Sequence, residues 1–290
     1  MLLLIIVTIL WAFSFSLIGV YLAGQVDAWF SVLIRLLLAA LVFAPFIRLK
    51  MINIKLAIQL IFVGMVQLGL MYGFYYRSFL YITVPEILLF TVLTPVYITL
   101  INDLLERNFN ARFLTSALLA TAGAVTMRYQ QINEQFIIGF LLVQASNLCF
   151  AIGQVSYKRI IARQTQDISQ LAIFGWFYIG AALVAIVGYT IWGNHAMRPQ
   201  TSTQWLILIY LGMIASGLGY FLWNKGATQV NIGTLAIANN LLVPAGIAVN
   251  LIIWNHNAPI LRLASGAIIM IAALYINEKW PHQATLSRNP

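Results

Sequence analysis

Ten long apolar runs, separated by short polar turns, constrain this chain more than any other feature of its sequence. Each run holds about 20 mostly apolar residues, the length at which a helix crosses the hydrocarbon core of a bilayer. Of the 290 residues, 62% are hydrophobic and only 8% are charged, which is too few charges for the surface of a soluble domain. The sequence therefore predicts an all-α polytopic membrane protein with ten transmembrane helices, at residues 2–22, 29–47, 56–76, 84–104, 112–129, 136–157, 168–193, 204–224, 232–254 and 260–278.

One passage of the chain occurs twice. Residues 64–77 read GMVQLGLMYGFYYR and residues 212–225 read GMIASGLGYFLWNK, at a shift of 212 − 64 = 148 positions. A further apolar run follows each copy and ends at Pro95 or Pro244. Because each half holds an odd number of helices, the second half crosses the membrane in the opposite sense, and we expect an inverted five-plus-five repeat with its site where the repeats meet. The expected boundaries are 1–132 for the first repeat, 133–280 for the second and 281–290 for a short cytoplasmic tail.

The basic residues are spread along the ends of the apolar runs. If the N-terminus is cytoplasmic, eleven of them flank inner ends and four flank outer ends, which favours cytoplasmic placement of both termini. Despite the net charge of +9, they form no continuous stripe of the kind that binds nucleic acid. We therefore expect a multi-pass protein of the bacterial inner membrane. Its partner is the lipid bilayer, and we expect no binding to nucleic acid. A monomer is sufficient for this architecture.

Several kinds of chemistry find no support in the sequence. Cys149 is the one cysteine, so an intramolecular disulfide and a cysteine-based zinc site are both excluded. The three histidines lie in or near predicted loops without metal-ligand spacing. There is no phosphate-binding GxxxxGK loop and no pattern typical of a nucleophilic triad. We expect neither an enzyme nor a metal or cofactor site.

The sixth apolar run carries a polar stripe. Gln144, Asn147, Gln154 and Lys158 recur at steps of three, four or seven residues, which places them on one face of a helix. Carboxamides that faced lipid would lose their hydrogen-bond partners, so this face should point into the bundle. We predict that Asn147 and Gln154 line a cavity. The alternative is that these carboxamides only bind neighbouring helices.

The repeated passage contributes aromatic side chains. Tyr220 and Asn224 share one face of the eighth run, and Tyr72 is the counterpart of Tyr220 in the third run. Aromatic rings with a polar tip suit a pocket for a partly apolar molecule. An aromatic belt at the membrane surface is the alternative, especially for Tyr75, Tyr76 and Trp223.

Matched prolines mark a second pair of polar positions. Asn239 and Asn240 lie a few residues before Pro244, and Thr91 lies at the matching position before Pro95. A proline inside a helix removes one hydrogen bond and frees a carbonyl in the preceding turn. The pattern predicts either a kink beside a polar site or an ordinary tolerated bend.

Two arginines are the candidates for binding an anion. Arg35 lies within the second run, where a charge is costly unless it is paired or solvated, and Arg77 lies at the end of the third run. Glu86 is a possible partner for Arg35. However, Thr83 to Glu86 also fits a capping box with proline at the first helical position, and we favour that role for Glu86.

Motifs in nearly the whole chain follow one another in a recognisable order. The first run contains Trp11 in LWAFSFS, the second contains Arg35 in IRLLLAALVF, and the fourth ends in TPVYITLINDLLER. Together with ten runs and an inverted repeat, these motifs resemble the EamA-type branch of the drug/metabolite transporter superfamily. Within it, TILWAFSFS, MYGFYYRSFLYITVPEILLFTVLTP and YFLWNKGATQVNIGTLAIANNLLVPAG resemble the bacterial biotin transporters of the carboxylate/amino acid/amine transporter group.

This resemblance implies uptake of biotin across the inner membrane by alternating access, through a central cavity between the two repeats. Biotin has a ureido ring, an apolar bicycle with a chain, and a carboxylate. Asparagine, tyrosine or glutamine side chains suit the ureido ring, and Arg35 or Arg77 suits the carboxylate. The apolar part suits aromatic side chains, for which the candidates are Trp11, Tyr72, Phe150 and Trp176.

An exporter or exchanger of amino acids, amines or drug-like metabolites on the same fold is the alternative function. In either case the inverted repeat has a consequence for the repeated passage. We expect Tyr72 with Arg77, and Tyr220 with Lys225, to approach the cavity from opposite membrane faces as two gates. Thr91 and Asn240 would then lie at the centre, where the substrate is expected to bind.

Overall fold

A computed structural model describes residues 2–48, 52–107, 133–164, 169–230 and 232–254, and isolated positions between 261 and 272. Seven helices in these ranges are long and apolar enough to cross a membrane. They are α1 (Leu2–Leu22), α2 (Ala28–Phe46), α3 (Ile54–Ser78), α4 (Val84–Leu105), α5 (Glu134–Ala162), α6 (Gln170–Trp192) and α7 (Ser202–Thr228). A further helix, α8, spans Ile232–Ile253.

These helices confirm the prediction of an all-α multi-pass membrane protein. The predicted fifth run, 112–129, and most of the tenth, 260–278, lie outside the described residues. The ten-helix count, the inverted repeat and the cytoplasmic termini therefore stay predictions.

Polar residues in or next to the turns cap the N-terminal ends of the helices. The Asp27 carboxylate accepts a hydrogen bond from the Phe30 backbone N–H at 2.8 Å and so caps α2. The Glu86 carboxylate accepts from the backbone N–H and the hydroxyl of Thr83, both at 2.8 Å, at the start of α4. The predicted capping box is confirmed, and it gives Glu86 a role at the helix end.

Each described helix of the first half packs against helices of the second half. α1 contacts α7 and α8, α2 contacts α6 and α7, α3 contacts α5 and α6, and α4 contacts α5 and α8. This interleaving places the repeated passages, in α3 and α7, in the interior of the bundle.

Both copies of the repeated passage contain a π-helical segment. Met65–Leu70 is π-helical in α3, and Tyr210–Leu218 is π-helical in α7. A shift of 148 places residues 65–70 on 213–218, so the first segment coincides with the last part of the second. π-helices are rare and often occur at functional sites. The two copies therefore share an unusual backbone conformation as well as a similar amino-acid sequence.

Small residues allow α3 and α6 to approach closely. A Cβ added to Gly64 would overlap the carbonyl oxygen of Phe177, and one added to Gly180 would overlap the carbonyl oxygen of Ile61. The backbones of α3 and α6 are therefore in close contact at both glycines.

We expect Gly64→Ala to lower stability by about 1–3 kcal/mol, because a backbone carbonyl cannot move aside as a side chain can. The midpoint of thermal unfolding in detergent measures this loss. Gly217→Ala is the control, since its added Cβ would lie 3.3 Å from the nearest atom, the Gly212 carbonyl oxygen. Equal midpoints for the two variants would contradict the close contact.

Candidate functional site

A cavity of about 80 Å³ lies between helices of both halves of the chain. Seven of the eight described helices contribute to its wall, and α6 does not. The lining combines aromatic rings, hydroxyls, carboxamides and a guanidinium, which suits a molecule that is partly apolar and partly polar. Eight of the predicted site residues line it: Trp11, Arg35, Tyr72, Thr91, Asn147, Phe150, Tyr220 and Asn239.

Arg35 on α2 brings a positive charge to this cavity. Its side chain is buried, with 2% exposure. Its Nε donates to the Ser216 hydroxyl at 2.5 Å and its Nη1 donates to the Tyr76 hydroxyl at 3.1 Å, while the guanidinium carbon lies 4.2 Å from the centre of the Tyr72 ring. Within the described part of the chain, no carboxylate contacts this guanidinium. Neutral groups and aromatic faces therefore hold the cation.

The π-helical segment of α7 supplies Ser216, one of the groups that bind Arg35, and side chains of other helices hold this segment in place. The Tyr178 hydroxyl donates to the carbonyl oxygens of Ser216 at 2.6 Å and Gly217 at 2.8 Å. The Trp11 indole donates to the carbonyl oxygen of Ala215 at 2.8 Å. Three successive carbonyls of the irregular segment thus bind side chains of other helices, which fixes Ser216 beside the cation.

Ser216 and Tyr178 are not among the site residues that the sequence predicts. Ser216 corresponds to Leu68 in the first copy, so the repeat gave no reason to choose it. Its signal was a serine among glycines inside an apolar run. Tyr178 carries no pattern of its own, and its role depends on carbonyls that only the π-helical turn presents.

Aromatic rings form one wall of the cavity. The ring centre of Trp11 lies 4.7 Å from that of Tyr220 and 4.9 Å from that of Trp223. Phe150 on α5 packs against the same group, with its ring centre 6.1 Å from that of Tyr220. These contacts close the cavity on one side.

The two repeat-matched tyrosines meet each other. The ring centres of Tyr72 and Tyr220 are 5.9 Å apart, and both residues line the same cavity. The expectation that they form gates at opposite membrane faces is therefore wrong. Tyr72 on α3 also shares a hydrogen bond of 2.9 Å with the Ser216 hydroxyl on α7, so the two matched passages lie against each other at this point.

The alternative of an aromatic belt is also wrong for the tyrosines and tryptophan near the helix ends. Tyr75, Tyr76 and Trp223 are all buried, with exposures of 7%, 3% and 1%. Their rings pack on other aromatic side chains of the bundle.

Carboxamides occupy another part of the wall. The Asn147 amide on α5 donates to the carbonyl oxygen of Phe90 at 2.9 Å, and the Asn239 amide on α8 donates to that of Leu235 at 2.9 Å. The Asn147 amide also donates to the Gln144 side-chain oxygen at 3.4 Å, so the oxygen of Asn147 remains for a ligand. Asn239 keeps one N–H and its oxygen for a ligand.

The helix at Pro95 is irregular where it reaches the cavity. Proline has no N–H, so the carbonyl four residues earlier, that of Thr91, loses its helical partner. The Thr94 hydroxyl donates to that carbonyl at 2.7 Å, and the backbone at Thr91–Leu93 is a 3₁₀ turn. The backbone beside this polar position is thus irregular at Pro95. Pro244 lies inside α8 and frees the carbonyl of Asn240 in the same way.

Five predicted site residues do not line the cavity. Arg77 is exposed near the end of α3, and Trp176 and Asn240 are half-buried elsewhere. Gln154 and Asn224 are buried, and Asn224 accepts a hydrogen bond from a glutamine of α3 at 3.2 Å. The structure brings these five to other places in the bundle.

The membrane-spanning helices and the mixed polar and aromatic cavity define a multi-pass membrane protein with an internal site suited to a small molecule. The profile of the EamA-like transporter family matches residues 1–129 and 137–278. This chain belongs to the EamA-like transporter family. That membership agrees with the expectation that the protein is not an enzyme.

Two relatives are similar over nearly the whole chain. A biotin transporter of Salmonella typhimurium (strain LT2) is 52% identical over 281 residues, which cover 97% of this chain and 93% of that protein. A probable biotin transporter of Pseudomonas aeruginosa is 48% identical over 274 residues, which cover 94% of this chain and 96% of that protein. One solved protein structure shares the fold with a TM-score of 0.64 at 18% identity, covering 97% of each chain.

We expect Tyr178→Phe to cost about 1–3 kcal/mol of stability, because two buried carbonyls lose their side-chain donor. Thermal unfolding in detergent measures the effect. Tyr157→Phe is the matched control, since its hydroxyl makes one bond, to Gln170 at 3.2 Å. If both variants unfold at the same temperature, the carbonyls of the π-helical segment do not depend on Tyr178.

Proposed function

We propose that this chain imports biotin across the bacterial inner membrane by alternating access. The observation that carries the proposal is the buried Arg35 cation, which meets neutral groups in a cavity that also offers carboxamides and aromatic rings. A ligand with a carboxylate, an apolar centre and a ureido ring matches these groups one for one. The close relatives described as biotin transporters point to the same ligand.

The cavity suggests an orientation for biotin. Its carboxylate would accept from Arg35, beside the Ser216 hydroxyl. Its bicycle and chain would pack on Trp11 and Phe150. Its ureido ring would reach Asn147, together with Tyr72, Thr91, Tyr220 and Asn239 around it. Of the two candidate arginines, Arg35 is the proposed partner, because Arg77 lies outside the cavity.

Alternating access is proposed on the size of the cavity. Small-molecule sites enclose about 300–1,000 Å³, and this cavity encloses about 80 Å³. Its helices must separate before a ligand the size of biotin fits. Gln154 and Asn224 are buried beyond the aromatic wall, and we assign them to the path that opens when α5 and α7 separate. We assign Trp176 and Asn240, which also lie outside the closed cavity, to the same path.

The proposed architecture is ten helices in an inverted five-plus-five repeat, with both termini cytoplasmic. Three observations support it. The family profile matches two separate segments of similar length. The π-helical segments coincide at the shift of 148. The basic residues favour one side of the membrane. The repeats would be 1–132 and 133–280, followed by the tail 281–290.

Uptake by purified protein in liposomes tests the function. Labelled biotin should accumulate inside and should be competed by unlabelled biotin. Empty liposomes are the control. If the protein ignores biotin but moves an amino acid or an amine, the alternative exporter or exchanger replaces this proposal.

The proposed role of Arg35 is tested by comparing the binding of biotin with that of its uncharged amide. We expect Arg35→Gln to weaken binding of biotin by about 10- to 100-fold, the loss of a charge-assisted hydrogen bond. Binding of uncharged biotin amide should change much less. Arg198→Gln, in the exposed turn between α6 and α7, should affect neither ligand. Equal losses for biotin and its amide would show that Arg35 only supports the structure.

A further inference from the structure

A second and larger cavity opens at one end of the bundle. It encloses about 720 Å³ between the first turns of α3, the end of α4 and the end of α5. Three basic residues line it, namely Lys55, Arg159 and Arg163. We expect this end to face the cytoplasm, because the basic residues favour that side in the proposed architecture. The cavity is separate from the one that holds Arg35, and the proposed transport of biotin does not use it.

This second cavity is an open groove, and its wall changes from basic to apolar along α3. Lys55 is the second residue of the helix, and Phe62 lies seven residues further on, about 10 Å deeper at 1.5 Å per residue. Phe62 is 61% exposed and Ile58 is 59% exposed. The groove therefore runs from the membrane surface along side chains that face the hydrocarbon.

Arg159 is held in a fixed position at the mouth. Its Nη2 donates to the Asn102 side chain at 3.0 Å and to the Glu106 carboxylate at 3.0 Å. Glu106 offsets one of the three positive charges, which leaves 3 − 1 = 2. In the ranges that the structure covers, no carboxylate pairs with Lys55 or Arg163. Among the described residues, two cations without a carboxylate partner thus flank a positioned guanidinium.

We propose that this groove binds one anionic phospholipid of the inner leaflet. Its phosphate would lie between Lys55 and Arg163, where basic pockets between transmembrane helices receive anionic head groups. One acyl chain would lie along Ile58 and Phe62. A soluble anion would use the cations but not the exposed apolar wall, so the lipid fits the whole groove. A bound lipid would bridge α3 and α5, which both contribute to the central cavity.

Native mass spectrometry of the purified protein in detergent tests this site. The wild type is titrated with phosphatidylglycerol and, separately, with phosphatidylcholine, and bound lipids are counted. We expect one phosphatidylglycerol to bind with clear preference. Lys55→Gln with Arg163→Gln should weaken it by about 10- to 30-fold. Arg48→Gln with Arg198→Gln removes two exposed charges outside the groove and should leave binding unchanged.

Three outcomes would overturn the proposal. The first is equal retention of phosphatidylglycerol by the groove variant and the control variant. The second is equal binding of phosphatidylcholine by the wild type. The third is displacement of the lipid by glycerol phosphate at the same concentration as the lipid itself, which would assign the groove to a soluble anion. Because the altered side chains are exposed, both variants should fold, and gel filtration verifies this.

Discussion

The described structure depends on the buried positive charge of Arg35, whose partners among the described residues are all neutral. An arginine near the middle of a spanning helix costs about 2.5–3.5 kcal/mol to insert. Arg35 is stabilised by hydroxyls of Ser216 and Tyr76 and by the face of the Tyr72 ring. These groups come from both copies of the repeated passage, so the cation joins the two halves of the bundle. It also leaves the cavity with an unbalanced positive charge, which favours an anionic ligand.

Irregular backbone concentrates around that charge. In a membrane, a carbonyl without a helical partner must find another donor. Tyr178 and Trp11 donate to carbonyl oxygens of the π-helical segment of α7, and the Thr94 hydroxyl donates to a carbonyl oxygen of the turn before Pro95. Trp11 and Thr94 line the cavity themselves, and Tyr178 holds the segment that carries Ser216 beside Arg35. The departures from regular helix thus shape the site instead of weakening the bundle.

The spanning helices, Arg35 and Asn147 could be predicted from the sequence, because each follows from apolar run length or from the periodicity of a regular helix. Ser216 could not, since a π-helical turn adds a residue and rotates the faces of the helix that contains it. Gln154 shares the stripe of Asn147, yet it does not line the cavity, and Phe150 of the same helix lines it and packs against Trp11 and Trp223. Such packing depends on other helices and leaves no local signal.

The central claim is that Arg35 holds the carboxylate of the transported molecule. Solid-state NMR of the protein in lipid, with ¹³C in the biotin carboxylate and ¹⁵N in arginine, measures this contact directly. Hydrogen bonds of about 2.7–2.9 Å predict a carbon-to-nitrogen distance of roughly 4 Å. That signal should vanish in Arg35→Lys while biotin is still bound. A carboxylate with no arginine nitrogen nearby, or one whose signal survives in Arg35→Lys, would contradict the account.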